Sequence, residues 1–218
     1  MRNLIVLTAM VALAVMSTGC AQKTQLQKTQ LFNGKDLSGW KLHVDDESFD
    51  VKDIWSVKDG VVHCKGKPNG YMRTIETYSN YELHVEWRWT AQPTNSGVLL
   101  HSSGEDKVWP RCIEAQLKAG NAGQFVLIGH TGVTVDGKVH QDDKEMFGSV
   151  PKKQESSENP AGEWNEYDII CAGDSIKLYV NGTLQNDAVK ATDTEGWICL
   201  QSEGSPIEFR NVYLTSLD

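Results

Sequence analysis

Hydrophobic and polar residues alternate along several short stretches of the chain. Between Tyr81 and Trp89, every odd position is hydrophobic and every even position is charged or a histidine. This period of two is typical of a strand with one buried face. Residues 113–118 repeat the pattern, with Glu114, Gln116 and Lys118 on the polar side. Further strands are predicted at residues 97–101, 125–129, 166–172, 175–181, 196–202 and 207–216.

Two-residue turn signals separate several of these strands. Asp59-Gly60, Asp136-Gly137 and Asn181-Gly182 each follow a β-branched stretch, and such dipeptides accept the positive φ angles of tight hairpins. A helical period is nearly absent. The pattern therefore predicts an all-β fold, a β-sandwich or jelly roll of two antiparallel sheets. Residues 141–163 lack a strand pattern, and we interpret them as a lid or rim loop.

The first 20 residues have the pattern of an export signal. A basic start is followed by a mainly apolar run from Leu4 to Met16 and then by Ser17-Thr18-Gly19-Cys20. Small residues directly before a cysteine indicate a lipoprotein, with Cys20 lipidated; an ordinary signal peptide cut elsewhere is the alternative. Residues 21–30 then form a polar tether and 31–218 a single β-sandwich domain. We expect an exported protein, lipid-anchored to the bacterial cell envelope in the periplasm or on the outer-membrane surface.

The net charge restricts the class of binding partner, and the cysteines restrict the possible disulfides and zinc sites. A formal net charge of −8 without a basic cluster argues against nucleic acid and is compatible with a neutral sugar. Export permits up to two disulfides among the four cysteines that follow Cys20, in three possible pairings. No CxxC spacing indicates zinc, and we favour buried free thiols or one bridge. The four are Cys64, Cys112, Cys171 and Cys199.

Polar residues on and beside the strands form the candidate site. If the strands are neighbours, their carboxylates, amides and imidazoles lie together on one sheet, where they can form hydrogen bonds with the hydroxyl groups of a sugar. Trp109 is then expected to pack against a pyranose ring. Solvation is the alternative for each polar residue, and core burial for each Trp. No hydrolase elbow, P-loop, HExxH or EF-hand motif is present, and no spacing selects a metal. The polar set is His101, Glu114, Gln116, Lys118, His130, Gln201 and Glu203.

Several segments resemble the 3-keto-disaccharide hydrolase domain family, long catalogued as a domain of unknown function. The opening Leu31-Phe-Asn-Gly-Lys-Asp-Leu-Ser-Gly-Trp40 carries the resemblance first. Asn95-Ser-Gly-Val-Leu-Leu, Trp109-Pro-Arg-Cys-Ile-Glu-Ala-Gln, Gly162-Glu-Trp-Asn-Glu-Tyr, Leu178-Tyr-Val-Asn-Gly and the closing segment from Leu200 to Val212 follow in the family's order. The resemblance spans essentially the whole domain.

The resemblance implies a concanavalin-like jelly roll that cleaves glycosides already oxidised at C3. A ketone at C3 acidifies the C2 proton, so that a base can remove it and the aglycone can leave from C1; addition of water completes hydrolysis. Glu114 matches a polar position of the family and is expected to be the base or a metal ligand, with His130 as the second acid/base group. Lys118, His101 or a divalent cation would stabilise the enolate. Hydroxyl groups would be held by Gln116, Arg111, Gln201 and Glu203.

Two further functions stay open at this point. A carbohydrate-binding module without catalysis would use the same fold, acidity and amide-rich face. A structural surface lipoprotein would leave the polar faces merely solvated. Turnover of a 3-keto-glycoside favours the enzyme, whereas affinity for an unoxidised glycan without turnover favours the binding module.

Overall fold

Two antiparallel sheets contain nearly all the regular structure of this computed structural model, which describes residues 28–46 and 48–217. Sheet A has the order β15 (Thr183–Ala188), β14 (Ser175–Val180), β13 (Asn165–Ala172), β6 (Tyr81–Trp89), β17 (Ile207–Ser216), β4 (Val61–Cys64), β3 (Trp55–Lys58), and β1 (Lys28–Gln30) also pairs with β17. Sheet B has the order β12 (Phe147–Val150), β9 (Phe125–Ile128), β8 (Arg111–Gln116), β7 (Gly97–Ser103), β16 (Trp197–Ser202), β5 (Gly70–Thr74), β2 (Trp40–Val44). A separate hairpin pairs β10 (Val133–Val135) with β11 (Lys138–His140), and α1 (Val51–Ile54) is a single turn.

The core lies between the two sheets because each strand turns its hydrophobic positions inward. Leu83, Val85 and Trp87 of β6 are fully buried there and belong to the same core cluster as Val98 and Leu100 of β7. Removing this apolar surface from water is the main driving force for stacking the sheets. The predicted all-β, concanavalin-like architecture of two antiparallel sheets is confirmed.

The predicted hairpins are present at all three dipeptides. Asp59, Asp136 and Asn181 have φ angles of 52°, 49° and 47°, and the glycine after each is also positive. Both central residues therefore adopt the left-handed conformation that a tight two-residue turn requires. These turns set the pairing of β3 with β4, β10 with β11 and β14 with β15.

The segment 141–163 differs from its prediction, because residues 147–150 form the edge strand β12. This strand has a glycine and a serine in its middle, so the period-two signal is absent, and its backbone pairing with β9 holds it in place. The following residues are held at the side of sheet A, where Lys153 N donates to the Gln185 carbonyl at 2.7 Å. Lys28–Gln30, assigned to the tether by the sequence, form β1.

Other sequence predictions concern the cysteines and the amino-terminal segment. Cys64, Cys112, Cys171 and Cys199 are all buried and free, which agrees with the interpretation as buried thiols. The predicted signal peptide and Cys20 lie outside the described residues. Within residues 28–46 and 48–217, no helix is long and apolar enough to cross a membrane.

Candidate functional site

The outer face of sheet B, turned away from sheet A, carries the candidate site. Side chains alternate along a strand, so the neighbours of the inward-facing Ile113 and Ala115 point outward. Cys112, Glu114 and Gln116 therefore share this face of β8. The same face continues on β7, β16 and β5 through buried residues that pack together outside the main core, including Leu99, Cys199 and Tyr71.

Glu114 lies at the centre of this face and is buried to 3% exposure. Its Oε1 atom has no hydrogen-bond partner. Gly97, one strand away, makes room for the carboxyl group, because a Cβ atom at that position would overlap Oε1. Burial and, to a smaller extent, the nearby charge of Glu203 together raise the pKa of Glu114 to about 8. The group is therefore mostly protonated at neutral pH and titrates in the range useful for acid/base catalysis.

Other oxygen atoms surround the position above Gly97. The register that pairs Leu200 with Val98 places Gln201 beside Gly97, and Glu203 pairs with Asn95 two residues along. The Gln201 Oε1 and Asn95 Oδ1 atoms are buried without a hydrogen-bond partner, like Oε1 of the central carboxyl group. We call Asn95, Glu114, Gln201 and Glu203 the acceptor cluster. Neighbouring residues of this cluster are separated by about 5 Å between strands and by about 7 Å along a strand.

Buried acceptors without donors are rare in folded proteins, and a group of three indicates a place where a ligand supplies the donors. The hydroxyl groups of a sugar can donate to these oxygens, and so can the proton of a carboxyl group. A bound cation could satisfy them by direct coordination. In the part of the chain that the structure describes, no three His, Cys, Asp or Glu side chains gather to hold a metal ion. Side-chain oxygens of this kind also accept hydrogen bonds from the hydroxyl groups of a sugar.

Gln116 lies on the other side of Gly97, with which it pairs in register. Its Oε1 atom accepts hydrogen bonds from the backbone N–H groups of Leu117 and Lys118, both at 2.8 Å. The side chain is buried to 6% exposure. These two bonds determine the orientation of the amide, so its NH₂ group is the end left for other partners.

The loop between β7 and β8 packs against the outer face of sheet B at Tyr71. Its Asp106 accepts hydrogen bonds from the Tyr71 hydroxyl at 2.9 Å and from Arg73 Nε at 2.8 Å, and Lys41 lies at 2.6 Å. Burial alone raises the pKa of Asp106, but the bonds from Arg73, Lys41 and Tyr71 outweigh it and hold the pKa below its usual range. This anchoring ties the loop to β5 and β2.

Two indole rings pack against the same outer-face residues. Trp109, in the loop between β7 and β8, meets the Phe147 ring edge to face at 5.9 Å. Trp197 of β16 lies under the Arg73 guanidinium, 3.9 Å from its ring centre. Both indole rings are half-buried beside the outer-face residues and are suited to pack on a pyranose ring.

Comparison with known proteins identifies the family of this chain. The model of the 3-keto-alpha-glucoside-1,2-lyase-like domain family matches residues 27–215. The chain belongs to this family. None of the curated proteins matched the chain by sequence.

Solved structures place this lyase-like domain among carbohydrate-active jelly rolls. A proposed glycosyl hydrolase from Parabacteroides distasonis is 26% identical, with a TM-score of 0.63 over 88% of this chain and 94% of that chain. A β-glucanase from Bacillus licheniformis is 14% identical, with a TM-score of 0.56 over 90% and 100%. The carbohydrate-binding module CBM66 from Bacillus subtilis is 12% identical, with a TM-score of 0.57 over 82% and 96%. At these lower identities the similarity concerns the fold alone.

The structure brings together four of the residues predicted for the site of this lyase-like domain: Glu114, Gln116, Gln201 and Glu203. It places His101 elsewhere. A bulge between Leu100 and Ser103 gives His101 a φ of 52° and turns its ring inward, to Tyr81 Oη at 3.2 Å and the Asp193 carbonyl at 2.9 Å. Burial lowers the pKa of His101, which fits a neutral, structural imidazole rather than a group facing substrate.

His130 and Lys118 also lie away from the central carboxyl. His130 is exposed, its Nδ1 is 3.1 Å from the Asp142 carbonyl, and it lines a separate pocket of about 180 Å³. It follows Val126, the register partner of Glu114, by four residues, or roughly 13 Å of strand. Lys118 lies beyond the end of β8 and is exposed. These placements do not give Glu114 a second acid/base group within hydrogen-bond reach.

Arg111 is occupied by other partners. Its Nε and Nη2 atoms donate to both carboxyl oxygens of Asp193 at 2.8 Å, and Nη1 donates to the Gly129 carbonyl. The guanidinium therefore ties two loops together at the end of β8. A role in holding substrate hydroxyls would require these bonds to break.

Sequence reasoning missed Asn95 and Gly97 as parts of the site. Both lie in the segment Asn95-Ser-Gly-Val-Leu-Leu that carries part of the family resemblance. Their importance depends on register, because Gly97 accommodates the Glu114 carboxyl from the neighbouring strand. A glycine at the start of a strand next to a buried carboxyl group is the available sequence signal, but pairing had to be known to use it.

Proposed function

We propose that this domain cleaves glycosides whose sugar ring carries a ketone at C3, with Glu114 as the base that removes the C2 proton. The observation that carries the proposal is the buried Glu114 carboxyl, which has an unpartnered Oε1 and a pKa raised to about 8. Such a group is a much stronger base than an ordinary carboxylate, whose pKa is near 4. The family to which the chain belongs supports the choice of substrate.

The reaction begins at the acidified C2–H bond of the 3-keto sugar. The ionised Glu114 takes the proton, and the bonding electrons form the enolate between C2 and C3. The enolate then re-forms the ketone and expels the aglycone from C1, leaving a C1=C2 double bond. The departing oxygen keeps the electron pair and takes the proton from the Glu114 carboxyl group, so that one side chain serves as base and acid. Water added across C1=C2 gives net hydrolysis.

The acceptor cluster would orient the ring for this step. Gln201 Oε1 and Asn95 Oδ1 can accept from sugar hydroxyls, and these bonds satisfy oxygens that are otherwise buried without partners. Glu203 is half-buried at the edge of the cluster and can hold a further hydroxyl. Trp109 or Trp197 would cover one face of the ring.

A chromogenic 3-keto-glucoside tests the proposal directly. The purified mature domain should release the aglycone, and in D₂O it should exchange the hydrogen on C2 of the sugar for deuterium. Because Glu114 must be ionised to act as the base, kcat/KM for aglycone release should rise about tenfold per pH unit up to a pH of about 8. Glu114→Gln should lose at least about 10³-fold in kcat, whereas Glu82→Gln, on the outer face of sheet A, should keep full activity. A parallel assay with chelator asks whether a divalent cation contributes.

Binding of an unoxidised glycan without turnover of its 3-keto form would refute the enzyme and support the carbohydrate-binding alternative. We also propose that the domain is exported and held at the cell envelope through lipidated Cys20. Metabolic labelling with a radioactive fatty acid should mark the wild-type chain and leave Cys20→Ser unlabelled; equal labelling of both would refute the anchor.

A further inference from the structure

Gln116 presents a hydrogen-bond donor whose direction is determined by the backbone. Its Oε1 atom accepts from two consecutive N–H groups, those of Leu117 and Lys118, where β8 ends. Rotating the amide by half a turn would place its NH₂ group against two N–H donors and lose both bonds. The Nε2 atom is thus held as a donor before any ligand arrives.

The amides on the other side of Gly97 lack such anchoring. No hydrogen bond holds the side-chain oxygen of either Asn95 or Gln201, both of which are buried without a partner. Those amides can adjust to a hydroxyl that either donates or accepts. A fixed donor is more selective, because it favours an oxygen that carries negative charge.

Gln116 and the base lie beside the same glycine. Gly97 pairs directly with Gln116, and the Glu114 Oε1 atom lies above Gly97. Both side chains are nearly excluded from water, at 6% and 3% exposure. A hydrogen bond to a developing negative charge is stronger in such a site than in water, and a donor already in position needs no reorganisation.

We propose that Gln116 stabilises the enolate, by donating its Nε2–H to the oxygen on C3 as the Glu114 carboxylate removes the C2 proton. The inference rests on the proposed function and assigns the ring orientation within it: the C3 ketone faces Gln116, and the hydroxyls face the acceptor cluster. The electrons of the C2–H bond move into the C2–C3 bond while the carbonyl pair moves onto the C3 oxygen. The donor bond shortens as that oxygen gains charge, and no atom is transferred from Gln116.

Gln116→Met is the primary test, because it removes the donor with little change in side-chain size. Leu117 N keeps its second acceptor, the Ser96 carbonyl at 2.9 Å, so the turn retains support. We expect kcat for aglycone release to fall about 10²- to 10³-fold, the range seen when one such donor is removed, with KM changed by a few fold at most. C2 exchange in D₂O should fall by the same factor. Gln92→Met, in an exposed loop, is the matched control and should retain wild-type values.

Gln116→Glu provides a second variant if the Met variant folds poorly. A carboxylate can keep both backbone bonds through one oxygen, but its other oxygen cannot donate when ionised. At pH 9 this variant should be at least as impaired as Gln116→Met. Circular dichroism and a thermal unfolding curve would establish that each variant is folded before its rates are compared.

The possible outcomes separate this inference from the proposed function. If the wild-type domain neither exchanges C2–H nor releases aglycone, the proposed function fails. If the wild type is active and the folded Gln116 variants keep kcat within about threefold, the enolate role of Gln116 is wrong while the lyase chemistry stands. A raised KM with an unchanged kcat would also overturn the inference, since Gln116 would then only bind the sugar.

Discussion

The outer faces of the two sheets carry similar residue types but satisfy their polar atoms differently. On sheet A, the two buried carboxylates have donors: Glu86 accepts from Arg210 Nε at 2.6 Å and from Asn211, and Glu208 lies 2.5 Å from Arg88 Nε and 2.9 Å from His63. On sheet B, the Oε1 atom of the buried Glu114 has no donor.

The difference separates a structural polar face from a ligand site. A buried carboxylate with several hydrogen bonds is already compensated for leaving water, so it needs no ligand. Buried acceptors without partners keep an energetic cost that a bound molecule can relieve. Hydrogen-bond satisfaction, rather than the presence of charged residues, is therefore the property that marks the outer face of sheet B as the candidate ligand face.

The largest expected effect is a gain of stability in Glu114→Gln at alkaline pH. The folded-state pKa of Glu114, about 8, lies above the ordinary value of 4.5, so wild-type stability falls as pH rises from 4.5 to 8 and then levels off. Each pH unit in this window costs up to about 1.4 kcal/mol. Urea unfolding at pH 5 and pH 9 should show the variant gaining on the wild type at the higher pH. Parallel stability curves would mean that Glu114 ionises freely in the folded state.

The opposite pH dependence is expected for Glu86→Gln on sheet A. Burial alone raises the pKa of Glu86, but the bonds from Asn211 and Arg210 outweigh it and lower the pKa below 4.5. Its stabilisation is present above pH 4.5 and is lost as the pH falls through the folded-state pKa. The variant should be less stable by about 2 kcal/mol at pH 7, and the deficit should vanish in acid.

Activity separates this variant from those on sheet B. Glu86→Gln should keep wild-type kcat once enough of it is folded, because its side chain is on the opposite outer face. A loss of kcat without a loss of stability would contradict the division of the two faces. Urea unfolding at pH 7 and pH 3, together with the aglycone-release assay, measures both quantities.

The sequence predicted the two faces but could not distinguish them. Strand β6 was predicted with the bounds that the structure has, because its alternation is perfect over nine residues. The same alternation placed Glu114 and Gln116 on one face of β8. Whether a polar residue has a partner depends on residues from distant strands, such as Arg210 for Glu86, and no local pattern encodes that pairing.

Local irregularities explain why two predicted site residues, His101 and Lys118, lie away from Glu114. The bulge in β7 reverses the side of the sheet that His101 faces, although period-two counting places it with Leu99. Lys118 belongs to the polar side of the pattern, but β8 ends at Gln116 when that side chain caps the next two N–H groups. A bulge and a strand end each break the period on which the prediction depended.

Gly97→Ala should disturb the candidate site through a single methyl group. The new Cβ atom would overlap the Glu114 Oε1 atom and force the carboxyl group to move. We expect a loss of about 1–3 kcal/mol in stability and a clear fall in kcat. Gly148→Ala on β12 is the matched control, because its Cβ would meet Leu127 at an ordinary 3.5 Å. Equal behaviour of the two variants would show that Glu114 has room to relocate.

The smallest effect is expected for His130→Ala, which tests the boundary of the site. The sequence suggested His130 as a second acid/base group, but its ring lies in a separate pocket beside His140 and Gln141. If Glu114 both takes the C2 proton and returns it, removing this imidazole should change kcat for aglycone release by less than about threefold. A loss of 10²-fold or more, with unchanged C2 exchange, would mean that the loop carrying His130 moves towards the sugar to protonate the leaving group. The site would then include more residues than those identified by unpartnered buried atoms, because these atoms reflect only the contacts present before substrate binds.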